Sequence, residues 1–483
     1  MIQGKNFIGG RWKETPKTYQ RENPARLEEV VGLYPLSGEA EATEALVAAR
    51  EAFPSWKRTP LLERAHILKE AAKRLATRGD KVARDIAREA GKPLLEARTE
   101  VRRAMDILEY YAAYAYTPFG YRVASARPRT ELRTQRVPLG VVALITPWNF
   151  PIAIPTWKLA PALILGNTVV LKPASLAPVG ALHLVQALEE AGLPEGVVNL
   201  VIGPGTPFGR ALEKAEDLRA VSFTGSVEVG LRLKARLASL ATRVQLELGG
   251  KNAYVVWKDA DLVLAARQIA QGAFFYAGQK CTATSRILVH REIYEAFKET
   301  LLQEVGQLKV GDPLEEDTQV GPLIDSTAWE GTARWVERGL RDGGRLLIGG
   351  EGAREKGYFF DPTILEGLDL KALLAQEEVF GPVATVHPVT SLEQALEAVN
   401  ATRYGLSASI ATRDLGIAKR FLEEAEVGLA HVNQPTAGVE YQAPFGGSEG
   451  SGYGPKEQGW AALEFYGDWK TLVITPPEVR DGH

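Results

Sequence analysis

The sequence predicts an α/β protein with two units, each built on a parallel sheet, and a small β element attached. Two observations carry this. From about Leu139 short apolar runs alternate with helix-like stretches, and a second alternating stretch begins near Asn252 and continues to about residue 430. Strand, helix, strand, helix in that order covers a parallel sheet on both faces. A third agrees with them: 483 residues exceed what one small core holds.

Taken in order, residues 38–53 carry Ala42, Ala45, Leu46, Ala49 and Phe53 at helical spacing. Residues 61–118 continue in the same style, so the first quarter reads as largely helical. RTELRTQRVP (129–138) alternates partly. VVALIT (141–146), TVVLKP (168–173), VVNLVIG (197–203) and AVSFTG (220–225) read as buried strands. Helices are predicted between them at 179–191, 207–215 and 227–239. DWKTLVIT (468–475) is strand-like. The Pro- and Gly-rich segments 443–455 and 475–483 read as loops or an extended tail. No repeat of fixed period is present.

Composition narrows the function. Apolar residues make up 45% and charged residues 24%, as in globular chains. The net charge is −3 without a long basic run, so neither nucleic acid nor a membrane surface is an expected partner. Residues 1–20 hold no apolar signal core, and no apolar run is long enough to span a bilayer. One cysteine precludes an internal disulfide and suits a cytoplasmic location. Two Met and one Cys against 57 Lys+Arg and 60 Asp+Glu lean towards a heat-adapted source, a bias that a GC-rich genome also produces.

Ligands of open parallel sheets bind beyond the carboxyl ends of the strands. There the chain places Pro147-Trp148-Asn149-Phe150-Pro151, Lys172-Pro173-Ala174-Ser175, Thr224-Gly225-Ser226 and Glu247-Leu248-Gly249-Gly250-Lys251. Each has two readings. The Thr224–Gly230 turn can offer backbone N–H groups and a helix dipole to a pyrophosphate, or Ser226 can simply cap its helix. Lys172 can donate to ribose or phosphate, or be a solvated strand end. Glu247, between two leucines, can be a general base with a raised pKa, or half of an ion pair. Asn149, between two aromatics, can be a fixed donor to an oxyanion, or a turn residue. Cys281 can be a small core hydrophobe. Its flexible or polar neighbours Gly278, Gln279, Lys280 and Thr282 favour a nucleophile instead, with Lys280 favouring the thiolate.

Together these segments resemble the aldehyde dehydrogenase superfamily over nearly the whole chain. The matches are Pro147–Pro151, Phe223–Gly230, Glu247–Lys251, Gly278–Thr282, Glu378–Pro382 and Pro444–Gly447. The resemblance implies an aldehyde dehydrogenase-like fold. Its cofactor domain would be 1–121 plus 140–247, its catalytic domain 248–463, and its bridging element 122–139 plus 464–483. The bridging strands would pair subunits into a dimer or a dimer of dimers. Cys281 would attack the aldehyde, Asn149 and the Cys281 N–H would hold the oxyanion, and Glu247 would activate water against a thioester.

NAD or NADP is implied as cofactor, with no metal. Lys172 and Glu378 would lie on its ribose hydroxyls, and Phe380 near the nicotinamide. Trp148, Gly205, Gly225 and Ser226 would surround adenosine and pyrophosphate. Ile145, Thr146, Pro147, Ala174, Ser175, Gly209, Phe223, Thr224, Val229 and Leu248 complete the implied cofactor set. Phe150, Lys280, Thr282, Phe445 and Arg103 form the implied substrate set.

Two positions and one loop refine this. Many NAD-preferring relatives carry an acidic residue where this chain has Ser175, and a serine can donate to a 2′-phosphate, so NADP is favoured. Arg103 falls on a tunnel-facing position that is often apolar. It could hold a substrate carboxylate or phosphate, or pair with Glu100 or Glu96. Residues 431–441 (HVNQPTAGVEY) and the run Gly450-x4-Pro455-x-Glu457-x-Gly459 are similar to the group oxidising 2-oxoglutarate semialdehyde (2,5-dioxopentanoate). The alternatives are a broad oxidiser of neutral aldehydes, a coenzyme A-acylating relative, a thiol hydrolase using Cys281 alone, and a non-catalytic binding protein that kept the fold. The six histidines show no paired motif near Cys281, so a Cys–His dyad has no support.

Overall fold

The computed structural model describes residues 1–353, 355–438 and 440–477. The tail positions 478–483 of the predicted bridging element, and Val439 of the 431–441 loop, lie outside the described residues. Five parallel strands form the centre of an eight-stranded sheet: Arg243–Glu247, Leu218–Thr224, Val141–Ile145, Thr168–Lys172 and Val198–Leu200, in that spatial order. These runs are apolar on both faces because both faces are covered. Val142 and Leu144 point into a core shared with the helices Leu61–Ala76, Gly79–Ala90, Leu94–Ala113, Ala153–Leu165 and Val179–Glu190. Val141 and Ala143 point the other way, to Glu39–Trp56, Gly205–Glu213 and Val227–Leu237.

The chain crosses from Val141–Ile145 to Thr168–Lys172 and Val198–Leu200 on one side, then returns to lay Leu218–Thr224 on the other. That reversal opens a crevice at the carboxyl ends of Val141–Ile145 and Leu218–Thr224, where a parallel sheet accepts a nucleotide. A second sheet of seven strands has Asn252–Val256 between Thr284–His290 and Ser407–Ala411. It is parallel throughout except for the edge strand Arg345–Ile348. The strand Gly467–Ile474 pairs antiparallel with Glu131–Pro138 along its whole length, in a three-stranded sheet with Arg122–Val123.

Two expectations are corrected. The first quarter is helical only from Glu39: residues 2–35 hold five strands, of which Ile2–Gln3, Thr18–Asn23 and Arg26–Pro35 form a separate sheet. Their pairings are partly long-range, as when Phe7 meets Leu200, and local periodicity does not register such partners. Gly452–Tyr453 adds to the first sheet, against Arg243–Glu247, although it lies inside the stretch assigned to the second unit. Among the described residues no helix is long and apolar enough to cross a membrane.

Candidate active site

Cys281 precedes the strand Thr284–His290, so it enters from the amino end of the second sheet and faces the carboxyl ends of the first. A sharp turn aims it. Tyr276, Ala277 and Gly278 take successive left-handed φ values of 59°, 53° and 65°. A Cβ at Gly278 would come within 2.4 Å of the Gly381 carbonyl oxygen. Such a run of left-handed residues persists only where surrounding contacts enforce it. Gln279 supplies them. It is fully buried, donates from Nε2 to the Tyr276 and Pro322 carbonyls at 3.2 and 3.1 Å, and accepts the Ile324 N–H at 2.9 Å. The polar Gln279 beside Cys281 is therefore a buried, fully hydrogen-bonded support of the turn.

The thiol sits at a cavity of about 300 Å³. Glu96, Thr99, Glu100 and Arg103 line it from one face of the helix Leu94–Ala113, at the spacing that brings helical side chains together. Phe150, Ile154, Trp157, Phe275, Thr282 and Phe445 supply aromatic and apolar walls, and Pro435, Ala437 and Gly438 close one side. Arg103, Phe150, Lys280, Thr282 and Phe445 are thus gathered as expected. Thr99, Phe275, Gln271 and Ile154 were not foreseen. The i, i+3, i+4, i+7 pattern 96, 99, 100, 103 was the available signal.

Lys280 does not act on the thiol in the way its position suggested. Its Nζ is 2.6 Å from Oε1 of Glu96, a pair that spends its charge locally. Burial pushes the Cys281 thiol well above its ordinary range, and the carboxylates Glu247 and Glu378 add to this. Backbone N–H groups of Thr282 and Cys281 oppose the shift. Glu96 is thereby committed, and Glu100 pairs with buried Lys92 and accepts the N–H groups of Ile152 and Ala153 at 2.9 and 3.0 Å. Burial lowers the Arg103 guanidinium, while Glu440, Glu100 and Asp106 favour its charge. Its neighbour Arg102 is exposed and pairs with Asp106 at 2.9 Å.

Asn149 is buried, and its Nδ2 donates to the Gln279 carbonyl at 3.0 Å, which leaves a second N–H on the same nitrogen. Glu247 ends its strand almost fully buried. One oxygen accepts the Gly447 N–H at 3.3 Å, and the other has no partner. Burial raises its pKa well above the carboxylate range, helped by Glu457. Glu457 itself is held by Trp157 Nε1 and Lys158.

Across the crevice, Lys172 is buried with its Nζ donating to the Pro173 carbonyl at 2.8 Å. No carboxylate faces it among the described residues, and burial lowers its pKa to about 8. The hydroxyls of Thr146 and Thr224 are buried without partners. A Cβ at Gly209 would meet nothing within 4 Å, and at Gly205 only Lys172 Cε at 4.0 Å. Orphaned buried donors beside open space suit a polar ligand. Glu378 accepts the Gly250 N–H at 3.1 Å, and burial raises it to about 7. Ile145, Pro147 and Ala174 are half-buried at the strand ends.

Six further positions of the expected cofactor set sit as follows. Trp148 packs edge-on to Phe380, with centroids 5.4 Å apart, so it accompanies the residue expected at the nicotinamide end. The Leu248 side chain is in the core, and its N–H goes to the Ser451 carbonyl at 2.9 Å. Phe223 is likewise buried, with its ring edge beside Gly225 and Gly230, where a Cβ would meet it within 3.3 Å. The Ser175 hydroxyl donates to the Gly203 carbonyl at 2.8 Å, so its proton is already directed inward. Ser226 precedes the helix Val227–Leu237 but makes no side-chain cap bond, and both Ser226 and Val229 are exposed.

A thiol beside an amide donor, a buried carboxylate of raised pKa and a crevice of unpaired polar groups can perform acyl transfer with hydride removal. Known proteins bear on the class. Residues 12–472 match the aldehyde dehydrogenase family. The chain is 42% identical to the alpha-ketoglutaric semialdehyde dehydrogenase of Bacillus subtilis, over 98% of each chain. It is 43% identical to the 2,5-dioxopentanoate dehydrogenase of Saccharolobus solfataricus, over 96% of this chain and 98% of that one. An NAD-dependent aldehyde dehydrogenase from Sinorhizobium meliloti superposes with a TM-score of 0.96 at 34% identity, covering 99% of this chain and 96% of that one. The chain belongs to the aldehyde dehydrogenase family and is an oxidoreductase acting on aldehydes.

Proposed function

We propose that this enzyme oxidises an acidic semialdehyde, 2-oxoglutarate semialdehyde or a close analogue, to the carboxylate with NAD(P). The observation that carries the substrate reading is Arg103, a half-buried cation on the wall of an otherwise largely apolar cavity that reaches Cys281. The names of the two curated relatives support it. The Cys281 thiol gives its proton to solvent water, and the resulting thiolate Sγ attacks the aldehyde carbon, whose C=O π electrons pass to the oxygen. The free N–H of Asn149 and the Cys281 backbone N–H stabilise the oxyanion of the thiohemiacetal. A bound nicotinamide dinucleotide supplies the hydride acceptor. The thioester that remains on Cys281 is hydrolysed by water whose proton the ionised Glu247 carboxylate accepts, and burial, by raising its pKa, makes that carboxylate a stronger base.

Lys172 and Glu378 would hold the ribose hydroxyls, with Thr146, Thr224, Gly205 and Gly209 around the phosphates and adenosine. Residues 1–121 and 140–247, with Gly452–Tyr453, would form the cofactor unit, and the second sheet the catalytic unit. Gly467–Ile474 is an open edge strand with Trp469, Val473 and Ile474 exposed, suited to pairing with another copy in a dimer or dimer of dimers. A single free cysteine that must stay reduced suits the cytoplasm. NADP use is favoured over NAD by the absence of a carboxylate at Ser175, although the inward hydroxyl reduces what that residue offers a phosphate.

Kinetics on acidic and neutral aldehydes of equal length, each with NAD and NADP, test the proposal. Higher kcat/KM for the acidic aldehydes is expected. Equal or greater efficiency with a neutral aldehyde such as hexanal would leave a general aldehyde oxidiser in its place.

A further inference from the structure

Beneath the Lys172–Ser175 side of the crevice lies a buried network that the mechanism above does not use. It begins on the N-terminal sheet. The Tyr19 hydroxyl donates to the backbone carbonyl of Ser175 at 2.8 Å. The Tyr19 ring lies against Tyr34, with centroids 5.9 Å apart. Tyr34 is fully buried and its hydroxyl donates to Oε1 of Glu89, also fully buried. The other oxygen of Glu89 accepts the N–H of Val179 at 2.9 Å. Val179 opens the helix that follows the Lys172–Ser175 segment directly.

Space around Tyr34 is tight. A Cβ at Gly4 would come within 2.2 Å of its ring, and one at Gly32 within 2.3 Å, so both positions are narrowed to glycine by the ring they flank. Tyr34 therefore has one orientation, and Tyr19 leans on it. The segment from Lys172 to Val179 is irregular between a strand and a helix. Its backbone is tied from below at Ser175 through Tyr19 and at Val179 through Glu89. A third tie, from the Ser175 hydroxyl to Gly203, runs sideways to the neighbouring strand end.

We infer that Tyr19, Tyr34 and Glu89 are positioning residues for the dinucleotide, holding the Lys172–Val179 segment so that Lys172 and Ser175 meet the adenosine ribose. This rests on the assignment of Lys172 and Ser175 to that ribose. It gives the N-terminal sheet a part in cofactor affinity, exerted through the backbone of Ser175 and Val179. A preset segment loses less freedom when the ligand arrives, so loosening it weakens binding without altering the chemical step.

Tyr19→Phe tests this, since it keeps the ring against Tyr34 and deletes only the hydroxyl. Fluorescence titration should show Kd for NADH and NADPH rising about three- to tenfold, the range of one lost hydrogen bond. ADP-ribose, which lacks the nicotinamide, should lose affinity by the same factor. The value of kcat at saturating dinucleotide and KM for the aldehyde should stay within about twofold. Lys172→Met is measured in parallel, alone and combined with Tyr19→Phe. If Lys172→Met weakens ADP-ribose and Tyr19→Phe does not, the positioning role is overturned and the ribose assignment stands. If Lys172→Met leaves ADP-ribose binding unchanged, the ribose assignment fails and the inference falls with it. A smaller effect of Tyr19→Phe in the Lys172→Met background than alone supports action through Lys172; full additivity counts against it. A Tyr19→Phe variant that loses kcat along with affinity would mark a general structural residue and overturn the inference.

Discussion

On the Lys172 side of Cys281, among the described residues, no carboxylate faces Lys172, and the hydroxyls of Thr146 and Thr224 and one oxygen of Glu247 are buried unbonded. On the aldehyde side, Lys280 is paired with Glu96 and Lys92 with Glu100, and the remaining walls are mostly aromatic or apolar. The two sides carry similar residue types but differ in what is left unsatisfied. Unpaired buried polar groups cost free energy that a polar ligand returns on binding. Paired ones hold a shape. The first side therefore suits a polar ligand, and the second is a largely apolar cavity with Arg103 on its wall.

The largest effect expected is at the junction of the two sides. Cys281→Ala should lower dehydrogenase turnover by on the order of 10⁴-fold or more, because no other group forms the thioester. Cofactor affinity should change by less than about twofold, since the unpaired groups of the crevice are untouched. Measurable steady-state turnover by the alanine variant would show that the chemistry does not pass through the thiol.

Next in size is Glu247→Gln, which should slow the steady state by roughly 10²–10³-fold. A burst of reduced dinucleotide should precede it, because the amide cannot take the proton from water but leaves acylation open. The pH profile sharpens the point. Burial and Glu457 hold the Glu247 pKa high, and only the ionised form is a base. Deacylation in the wild type should therefore rise with pH through that raised pKa, and the rise should vanish in the glutamine variant. An unchanged slope would assign the base elsewhere.

The two sides also differ in how far the sequence reveals them. Lys172, Thr224 and Glu247 each end a strand, and Asn149 follows one within a short turn, and the doubly wound sheet brings such strand ends to one crevice. Their place in the fold could be read from local pattern. The cavity is assembled otherwise. Glu96 and Lys280 meet across 184 positions, and Trp157 finds Glu457 across 300. Such partners leave no local trace, which is why Lys280 read as an activator of the thiol rather than as half of an ion pair. The same holds for Gln279. It looked like a polar, flexible neighbour of Cys281, yet its role depends on Pro322 and Ile324, about forty residues away. The N-terminal strands were missed for a related reason, since Asn6–Ile8 pairs with Val198–Leu200. What resemblance supplied beyond this was the identity of the chemistry, not the contacts that hold it.

Arg103→Met tests the claim that one cation decides selectivity on the aldehyde side. A charge-assisted contact to a substrate carboxylate is worth roughly 1.5–3 kcal/mol, or one to two decades in kcat/KM. The variant should lose that much with an acidic semialdehyde and stay within about twofold with hexanal. Equal losses on both substrates would mean that Arg103 shapes the cavity wall, through the acidic neighbours Glu440, Glu100 and Asp106, without meeting the substrate.

The smallest effect expected lies on the Lys172 side, at Ser175. This residue is half-buried, beside the crevice that holds Lys172, and its hydroxyl donates to the Gly203 carbonyl. Ser175→Glu removes that bond and brings a carboxylate to the segment assigned to the adenosine ribose. Against a 2′-phosphate the added charge is repulsive, whereas a free 2′-hydroxyl can donate to it. The lost bond to Gly203 loosens the segment for both cofactors alike, so it cancels in the ratio of their affinities. What remains is one charge repulsion in a partly screened setting, about 1.4 kcal/mol for each factor of ten. The NADP-to-NAD ratio of Kd should rise about tenfold, and more at low ionic strength, because screening weakens a half-exposed contact. Titration with NADH and NADPH at two salt concentrations measures it. An equal loss for both, insensitive to salt, would mean that Ser175 serves the backbone through Gly203 and does not face the ribose.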